Sequence, residues 1–321
     1  MSDFSYLNIE TVYEKIKHNL DKTPLITNDY INQLLDAKIY FKLENLQKTG
    51  SFKLRGATNK IGQLSEEQKL RGLVAYSSGN HAQAVAFASL QENISAKIIM
   101  PNNAPKIKIE NTLKYKAEVI LYDPQKEIRE EIGKEIEKKD NRTLIKPYDD
   151  YDIIAGQGTA GYEISQDLEN LSVIPDIYLC CCGGGGLVAG TSTYLKHKYP
   201  NIKSFAVEPY GFDDTKISLI NKKITSNKPG YKSICDAIIT PQPGKLTFPI
   251  NLKNLSGGIV VEDQEVKNSI KILAEHLKFV VEPGGAVAAT AALTKKIDLK
   301  HKTVVVMISG GNIDFDVFRS L

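Results

Sequence analysis

The sequence of 321 residues has no tryptophan, only four cysteines and no low-complexity run. It also lacks an apolar stretch of the roughly 20 residues that a membrane-spanning helix needs, so we expect no membrane contact. Its N-terminal segment carries charges and no signal-peptide core, which predicts a cytoplasmic protein. Cys180, Cys181 and Cys182 are consecutive and Cys235 is isolated, so no Cys-x-x-Cys pair is available for a metal. We expect four reduced, buried thiols that act as small apolar residues.

An excess of one charge is absent as well, because 41 basic residues nearly balance 38 acidic residues and leave a net charge of +3. The basic residues form no single stripe, which argues against a nucleic acid as the main partner. The chain is longer than a usual single-core domain, and 42% of its residues are hydrophobic, enough for a large core. We therefore expect a two-domain enzyme that acts on a small molecule.

Short β-rich apolar runs alternate with helix-length segments along almost the whole chain. This alternation predicts the α/β class, with two domains that each contain a mainly parallel, twisted sheet with helices on both faces. The predicted strands cover residues 39–43, 73–76, 96–100, 118–122, 143–146, 177–182, 204–207, 258–261 and 303–308. The clearest amphipathic helices cover residues 9–20, 82–90, 106–115, 161–168, 187–197 and 263–277. Polar connections predict a small domain of residues 67–150 and a large domain of residues 1–66 and 151–321.

Four consecutive glycines, Gly183, Gly184, Gly185 and Gly186, follow an apolar predicted strand and precede a predicted helix. Residues without a Cβ let successive backbone N–H groups converge, and the helix N-terminus adds positive potential, so this run favours a phosphate site. A second pattern, G-x-G-x-x-G at residues 156–161, has neither a clean strand before it nor an acid about twenty residues later. We interpret the second pattern as unrelated to dinucleotide binding.

Polar residues also occupy other predicted strand-to-helix turns, where open parallel sheets bind their ligands. On spacing alone, Lys53 is most simply a surface cation, although a phosphate site beside it would favour a reactive amine. The segment with Ser77, Ser78, Asn80 and His81 suits either a helix cap or a carboxylate site.

Spacing alone does not decide the roles of four further polar residues. Glu208 and Asp214 are either solvated loop charges or ligands of a hard cation. Arg129 lies in the mixed-charge stretch of residues 126–139, which predicts a solvated helix. Ser309 follows the last predicted strand and begins a glycine turn.

These motifs follow one another in a defined order from Lys22 to Asn312. In that order they resemble the serine racemase and threonine/serine dehydratase (ammonia-lyase) family of fold-type II pyridoxal-phosphate enzymes. The blocks that carry the resemblance are SFKLRGA, SSGNHAQ, AGQGT, GGGGLVAG, EPGGA and SGGN. The resemblance implies pyridoxal 5′-phosphate as the cofactor and a small hydroxy amino acid as the substrate.

The resemblance also implies a role for each residue of the cofactor site. Lys53 would bind the cofactor covalently and act as the base on one face of it. The other implied contacts are Phe52 against the ring, Asn80 at the phenolic oxygen, Gly183, Gly184, Gly185 and Gly186 around the phosphate, and Ser309 at the pyridine nitrogen. A hydroxyl at that nitrogen favours a neutral ring, a weaker electron sink that suits elimination.

For the substrate, the resemblance implies that the carboxylate binds to Ser77, Ser78, Asn80 and His81. Ser78 matches the acid/base of racemase-like members on the face opposite Lys53, and racemisation needs one such group on each face. Arg129 matches an arginine at the substrate cleft of those members. If it faces the cleft rather than solvent, its guanidinium would hold a second carboxylate, which points to 3-hydroxyaspartate.

The resemblance extends to regulators and assembly. It implies a divalent cation, Mg²⁺, Ca²⁺ or Mn²⁺, bound by Glu208, the carbonyl of Phe212 and Asp214. Lys48, Thr49, Gln83 and Tyr115 match positions of a nucleotide effector site in serine racemases. Members of the family are commonly dimers, so we expect a homodimer, and the sequence after SGGN is too short for the regulatory domain of feedback-controlled threonine dehydratases.

We therefore expect an ammonia-lyase that converts L-serine or L-threonine to a 2-oxo acid and ammonia, with serine racemisation as a side activity. The alternatives are serine racemase as the main activity and 3-hydroxyaspartate ammonia-lyase. A nicotinamide-dependent dehydrogenase would need the pattern at residues 156–161 to be genuine. Ala237 replaces a Gly that racemases usually carry beside the cofactor, and Thr240 replaces a Ser near the substrate, so the choice of substrate stays open.

Overall fold

The computed structural model describes residues 4–77 and 79–321 of the chain. Within these ranges the strands are β1 (Leu25–Ile26), β2 (Lys38–Leu43), β3 (Leu73–Tyr76), β4 (Ala96–Pro101), β5 (Glu118–Tyr122), β6 (Thr143–Leu144), β7 (Ile177–Cys181), β8 (Lys203–Pro209), β9 (Leu255–Val261) and β10 (Thr303–Ile308). They form a six-stranded sheet in the order β1-β2-β10-β7-β8-β9 and a four-stranded sheet in the order β5-β4-β3-β6. All neighbouring strands are parallel except β1, which is antiparallel to β2.

Helices connect the strands, as the crossovers of parallel sheets require. They are α1 (Tyr6–Ile16), α2 (Asp29–Leu35), α3 (Lys53–Gly62), α4 (Glu66–Arg71), α5 (Asn80–Gln91), α6 (Lys106–Lys114), α7 (Arg129–Asp140), α8 (Tyr151–Asn170), α9 (Gly186–Lys198), α10 (Asp214–Asn221), α11 (Thr247–Asn254), α12 (Asp263–Leu277), α13 (Pro283–Leu293) and α14 (Phe315–Ser320), with short 3₁₀ turns at Lys17–Asn19 and Glu44–Leu46. The predicted α/β class with mainly parallel sheets is confirmed. None of the helices described is long and apolar enough to cross a membrane.

Each predicted strand is present, with boundaries that differ by a few residues at most. Strand β1 was not predicted, because two residues at a sheet edge show no alternation of apolar and polar side chains. Strand β7 is buried along its whole length between β10 and β8, and the alanine-rich helix α13 packs on all three. The four cysteines lie in this core, reduced and buried as predicted.

The four-stranded sheet has a second hydrophobic core. Val85 of α5 and Ile98 of β4 pack there with Leu54 of α3 and Ile153 of α8. All four strands come from residues 73–144, inside the predicted small domain, while helices from both sides of that segment complete its core. The exact division at residues 66/67 and 150/151 stays a prediction.

The pattern at residues 156–161 lies inside the long helix α8, which is capped by the Asp150 side chain. A Cβ at Gly156 would meet the backbone of α3, and a Cβ at Gly158 or Gly161 would meet the backbone of α9. These glycines therefore allow three helices to pack closely. The structure confirms that the pattern is no strand-to-helix turn, and it corrects the predicted helix of residues 161–168, which begins ten residues earlier, at Tyr151.

Candidate active site

A pocket opens where the carboxyl ends of β3, β7 and β10 meet the first turns of α3, α5 and α9. Among its lining residues are the predicted site residues Phe52, Lys53, Ser77, Asn80, His81, Arg129, Gly183, Gly184, Gly185, Gly186 and Ser309. Ser78 lies outside the described residues. The lining also includes residues that the sequence did not single out for the site, namely Tyr76, Lys108, Pro147, Tyr148, Cys181 and Asp236.

Lys53 is the first residue of α3, and part of it is open to the pocket. Its Nζ donates a 2.7 Å hydrogen bond to the carbonyl of Pro147, and no carboxylate of the described residues forms an ion pair with it. Burial of the ammonium lowers the pKa of Lys53 to about 8. A lysine in this environment is a free amine far more often than a surface lysine at neutral pH.

The glycine loop (residues 183–186) connects β7 to α9. From behind, the Thr247 hydroxyl donates to the carbonyl of Gly184 at 2.6 Å, and the Asn251 amide donates to the carbonyl of Gly185 at 3.3 Å. Gly185 has a φ of +91°, and a Cβ at Gly184 would collide with the ring of Tyr148. The backbone N–H groups of the loop have no acceptor among the described residues, so they remain available to an anion at the N-terminus of α9.

The amide of Asn80, at the start of α5, is held at both ends. Its Nδ2 donates to Oε1 of Glu282 at 2.5 Å, and its Oδ1 accepts a 2.9 Å hydrogen bond from Nδ2 of Asn312. Because Nδ2 carries two hydrogens, one remains to donate into the pocket. Glu282 was not predicted as a partner of Asn80, because it lies 202 residues away along the chain.

His81 is buried, and its Nε2 lies 3.0 Å from the carbonyl of Ile145. Burial, together with the nearby charge of Lys53, lowers the pKa of His81 to about 3, so its ring is neutral. Nδ1 then accepts rather than donates, and a neutral ring offers a carboxylate no ion pair. Ser77 is partly buried, and its hydroxyl accepts a 3.1 Å hydrogen bond from the backbone N–H of Gly79.

Ser309 and Phe52 are joined by the backbone, because the Phe52 N–H donates to the carbonyl of Ser309 at 3.1 Å. This contact fixes the end of β10 beside the start of α3. Ser309 is only 4% exposed, and it lines the pocket together with Cys181. Cys181 was expected to be an ordinary core residue, but it also borders the pocket. In the sequence, only its position just before the glycine loop indicates this.

Arg129, the first residue of α7, faces the pocket. Its guanidinium carbon lies 5.6 Å from the ring centre of Tyr76, and its Nε donates to Glu130 at 2.9 Å. Tyr148 lies in the same wall, where burial raises its pKa to about 12, so its phenol remains a hydrogen-bond donor. Arg129 was interpreted either as a residue of the substrate cleft or as a solvated helix charge, and its place in the pocket lining favours the cleft. Most other residues of α7 are polar and at least partly exposed, as predicted for a charged helix.

Glu208 and Asp214 lie apart from the pocket lining and are almost fully buried, at 0% and 1% exposure. Both oxygens of Glu208 accept backbone N–H groups at the start of α10, each at 2.9 Å. Asp214 accepts from the Asn227 amide at 2.6 Å, but its Oδ2 is buried without a partner. Burial raises the pKa of Asp214 to about 7 and that of Glu208 well above its usual range.

No lysine or arginine of the described residues forms an ion pair with either carboxylate. Two buried carboxylates without a cation fit a hard divalent ion. The Asn227 amide that donates to Asp214 also donates to the carbonyl of Thr240, and Oδ1 of Asn227 and Oγ1 of Thr240 are buried without a partner among the described residues. No third His, Cys, Asp or Glu of the described residues joins them, so carbonyls and water would have to complete the coordination.

The four residues matched to a nucleotide site lie outside the pocket lining. Lys48 is exposed and donates to the carbonyl of Asn19, while Thr49 and Gln83 are buried. The ring of Tyr115 packs edge-on against Phe87. Their predicted role stays a prediction.

The pocket fits a cofactor that carries both a phosphate and an aldehyde. The free N–H groups of the glycine loop suit the phosphate, and the Lys53 amine, with its lowered pKa, suits the aldehyde. The Ser309 hydroxyl and the remaining Asn80 N–H supply polar contacts for a ring between them.

Comparison with known proteins agrees with this fit. The family model for pyridoxal-phosphate dependent enzymes matches residues 16–310. Serine racemase from Dictyostelium discoideum is 40% identical over 317 residues, which cover 98% of this chain and 96% of that protein. The L-threo-3-hydroxyaspartate ammonia-lyase of Saccharomyces cerevisiae is 38% identical over 318 residues, covering 99% and 96% of the two chains.

The fold agrees as well. The crystal structure of the Dictyostelium serine racemase matches with a TM-score of 0.88 and 39% identity, covering 97% of this chain and 99% of that one. The resemblance that six short motifs indicated thus extends over nearly the full length of the chain, in both sequence and structure. The chain belongs to the pyridoxal-phosphate dependent enzyme family.

Proposed function

We propose that this enzyme is an ammonia-lyase that converts L-serine or L-threonine to a 2-oxo acid and ammonia, with racemisation of serine as a minor activity. The observation that carries the proposal is the position of Lys53, whose Nζ has a pKa of about 8 and lies in the same pocket as the glycine loop. The relatedness to serine racemase and to a hydroxyaspartate ammonia-lyase supports a small hydroxy amino acid as the substrate.

Bound pyridoxal phosphate withdraws electrons from the α-carbon of an attached amino acid and so makes the α-proton acidic. The Lys53 amine takes that proton, which it can do because its burial favours the free base. The glycine loop and the N-terminus of α9 would hold the phosphate. Ser309 would offer the pyridine nitrogen a hydroxyl instead of a carboxylate, which would favour loss of the β-hydroxyl. Ser78 would supply a proton from the opposite face in the turnovers that racemise.

The test is a substrate panel with the purified, cofactor-loaded protein. L-serine, D-serine, L-threonine and the isomers of 3-hydroxyaspartate are each incubated with it, and ammonia release and the chirality of the remaining amino acid are measured. We expect ammonia and a 2-oxo acid from at least one L-hydroxy amino acid. The proposal is wrong if none of them yields ammonia.

A second candidate, 3-hydroxyaspartate ammonia-lyase, is favoured by one observation. The Arg129 guanidinium faces the pocket beside the phenols of Tyr76 and Tyr148. A planar cation with neighbouring donors suits a second carboxylate, which serine and threonine lack.

Arg129→Met separates the two candidates. Charge-assisted hydrogen bonds contribute about 1.5–3 kcal/mol, so we expect kcat/KM for 3-hydroxyaspartate to fall by about 10-fold to 100-fold. For L-serine we expect a change of less than about threefold, because serine has no group to meet the guanidinium. Lys134→Met is the matched control, since it removes an exposed cation from the same helix. An equal loss with both substrates would contradict a role for Arg129 in substrate choice.

The proposal includes a divalent cation at Glu208, the Phe212 carbonyl and Asp214. The support is the pair of buried carboxylates without a cationic partner and the unpartnered Oδ2 of Asp214. Bound there, the ion would neutralise the charge behind the glycine loop, where the thiol of Cys182 contacts the Thr215 hydroxyl of α10.

Adding Mg²⁺ or Ca²⁺ to the chelator-treated protein should raise its thermal midpoint. A ligand at about 100 times its Kd stabilises the folded state by about 2.7 kcal/mol. Asp214→Asn should abolish the rise, whereas Asp213→Asn, the partly exposed neighbour, should preserve it. Because the proton and the cation compete for an Asp214 carboxylate with a pKa of about 7, the stabilisation should weaken as the pH falls through 7. No rise with either ion would contradict the site.

We also retain the nucleotide effector, the homodimer and the cytoplasmic location as proposals. The buried Thr49 hydroxyl and Gln83 Nε2, both without partners, support the nucleotide site. Four free thiols support a reducing compartment. The homodimer rests on the resemblance alone.

A further inference from the structure

A lysine outside the predicted site links the two sheets at the pocket. Lys108 lies in the first turn of α6, between β4 and β5 of the four-stranded sheet, and its side chain is 1% exposed. Its Nζ lies 2.8 Å from Oδ2 of Asp236 and 3.1 Å from Oε2 of Glu282. Asp236 precedes α11 and Glu282 precedes α13, so both carboxylates belong to the part built on the six-stranded sheet.

A second contact joins the first turn of α6 to the part of the protein built on the six-stranded sheet. The carboxylate of Asp314 accepts the backbone N–H groups of Lys106 at 3.3 Å and of Ile107 at 2.9 Å. An acidic side chain at a helix N-terminus pairs with unsatisfied donors and with the helix dipole. One turn of α6 therefore makes three charged contacts across the boundary between the sheets.

Glu282 connects this junction to the pocket. Its Oε2 faces Lys108, while its Oε1 accepts the 2.5 Å hydrogen bond from Nδ2 of Asn80. The stem of Lys108 lies directly against Gly79, where a Cβ would collide with it. Lys108 thus contacts the segment before Asn80 on one side and the carboxylate that orients Asn80 on the other.

The charge of Lys108 favours the ionised form of Glu282 against the effect of burial. Burial raises the pKa of Glu282, Asp236 raises it further, and Lys108 opposes both. The other titratable groups close by are the thiols of Cys181 and Cys235, which bring no positive charge. Without Lys108, this buried carboxylate would face the carboxylate of Asp236 with no cation beside it, so the pKa of Glu282 would rise further.

We propose that Lys108 is a positioning residue: it holds Glu282 as a carboxylate, so that Glu282 fixes the Asn80 amide in the pocket, and it joins the two sheets around the bound cofactor. The proposal rests on the proposed function insofar as the cofactor contacts Asn80. The reactions of the substrate need Lys108 only through Glu282 and Asn80.

The experiment compares Lys108→Met, Glu282→Gln and the double variant in the full-length, cofactor-loaded protein. For Lys108→Met we expect kcat/KM with L-serine to fall by about tenfold or more at neutral pH and to gain a second ascending limb, besides the one that the Lys53 amine gives the unmodified protein. The second limb arises because Glu282 regains its charge as the pH rises. The double variant should recover part of the loss and lose the second limb, because it contains neither the buried carboxylate nor its cation.

A second measurement does not depend on turnover. Hydrogen exchange of the α6 backbone amides, followed by mass spectrometry, should be at least about tenfold faster in Lys108→Met than in the unmodified protein. The absorbance of the lysine-bound cofactor should shift in Lys108→Met and return in the double variant. An unchanged pH profile, exchange rate and spectrum in Lys108→Met would overturn the proposal, as would a double variant more impaired than Lys108→Met. If the unmodified protein releases no ammonia from any substrate, the proposed function fails, while exchange and absorbance still test Lys108.

Discussion

Lys53→Ala should lower kcat/KM for the preferred hydroxy amino acid by at least about 10³-fold and abolish the visible absorbance of the lysine-bound cofactor. The physical reason is that Lys53 has two roles in the proposed reaction: it holds the cofactor covalently and it removes the α-proton. Among the described residues its Nζ forms one hydrogen bond, to the carbonyl of Pro147, and lies 5.2 Å from the ring centre of Phe52, so removing it breaks one hydrogen bond and no ion pair. Ammonia release and the absorbance spectrum are the measurements, with far-UV circular dichroism to verify the fold.

Lys53→Arg is the matched control for this prediction. Arginine keeps the positive charge and the length, but it stays protonated at any pH of the assay and cannot act as a free amine. We expect it to be as inactive as Lys53→Ala. Retention of more than about a tenth of the activity in either variant would exclude Lys53 as the cofactor-binding base.

The lowered pKa of Lys53 adds a pH dependence to the loading of the cofactor. With a pKa of about 8, about a tenth of the amine is unprotonated at pH 7 and about a hundredth at pH 6. Capture of added pyridoxal phosphate by the cofactor-free protein should therefore accelerate about tenfold per pH unit up to about pH 7.5 and level off above pH 8. Stopped-flow absorbance measures this rate.

Much of the architecture could be predicted because each element has a local signal. The strand before the glycine loop is a continuous apolar run, and four glycines cannot extend a strand or a helix interior without cost, so a turn at residues 183–186 was expected. The rule that ligands bind at the carboxyl ends of parallel strands predicted a site at these turns, whereas the assignment of Lys53, Asn80 and Ser309 to one site came from the family resemblance. All three residues line the pocket.

The junction at Lys108 could not be predicted in this way. The helix of α6 was expected, but nothing in its sequence KIKIENTLK distinguishes the buried Lys108 from its exposed neighbour Lys106. The partners of Lys108, Asp236 and Glu282, lie 128 and 174 residues further on, and their approach depends on how the two sheets pack. Tyr148 was missed for a related reason, since only the folded chain brings its ring onto Gly184.

A buried ion network behind Lys53 anchors the helix that carries it. Arg55, two residues after Lys53 in α3, donates to both oxygens of Glu44 at 2.7 and 2.8 Å and to both oxygens of Glu163 at 2.9 and 2.7 Å. Lys42 donates to Glu163 at 2.6 Å and to the carbonyl of Thr23 at 2.7 Å. All four charged side chains are at most 2% exposed. Two cations and two carboxylates thus cancel in a region closed to water, joining α3 to α8 and β2.

Arg55→Met should destabilise the protein by about 3–5 kcal/mol, because it leaves two buried carboxylates with a single cation. That is a large part of the stability of an ordinary folded protein. Since the chain has no tryptophan, the urea midpoint is best followed by far-UV circular dichroism. The double variant Arg55→Met with Glu44→Gln restores the charge balance, so it should be more stable than Arg55→Met alone.

The control for Arg55 is Arg71→Met, which removes an arginine at the surface. Arg71 pairs with Glu67 on α4, and the Glu67 side chain is 82% exposed, so this pair should contribute only about 0–1 kcal/mol. A loss at Arg55 no larger than the loss at Arg71 would show that water reaches the network and that it does not anchor α3. If instead Arg55→Met folds but loses cofactor at a pH where Arg71→Met retains it, the network also fixes the position of Lys53, because the two residues lie within one turn of the same helix.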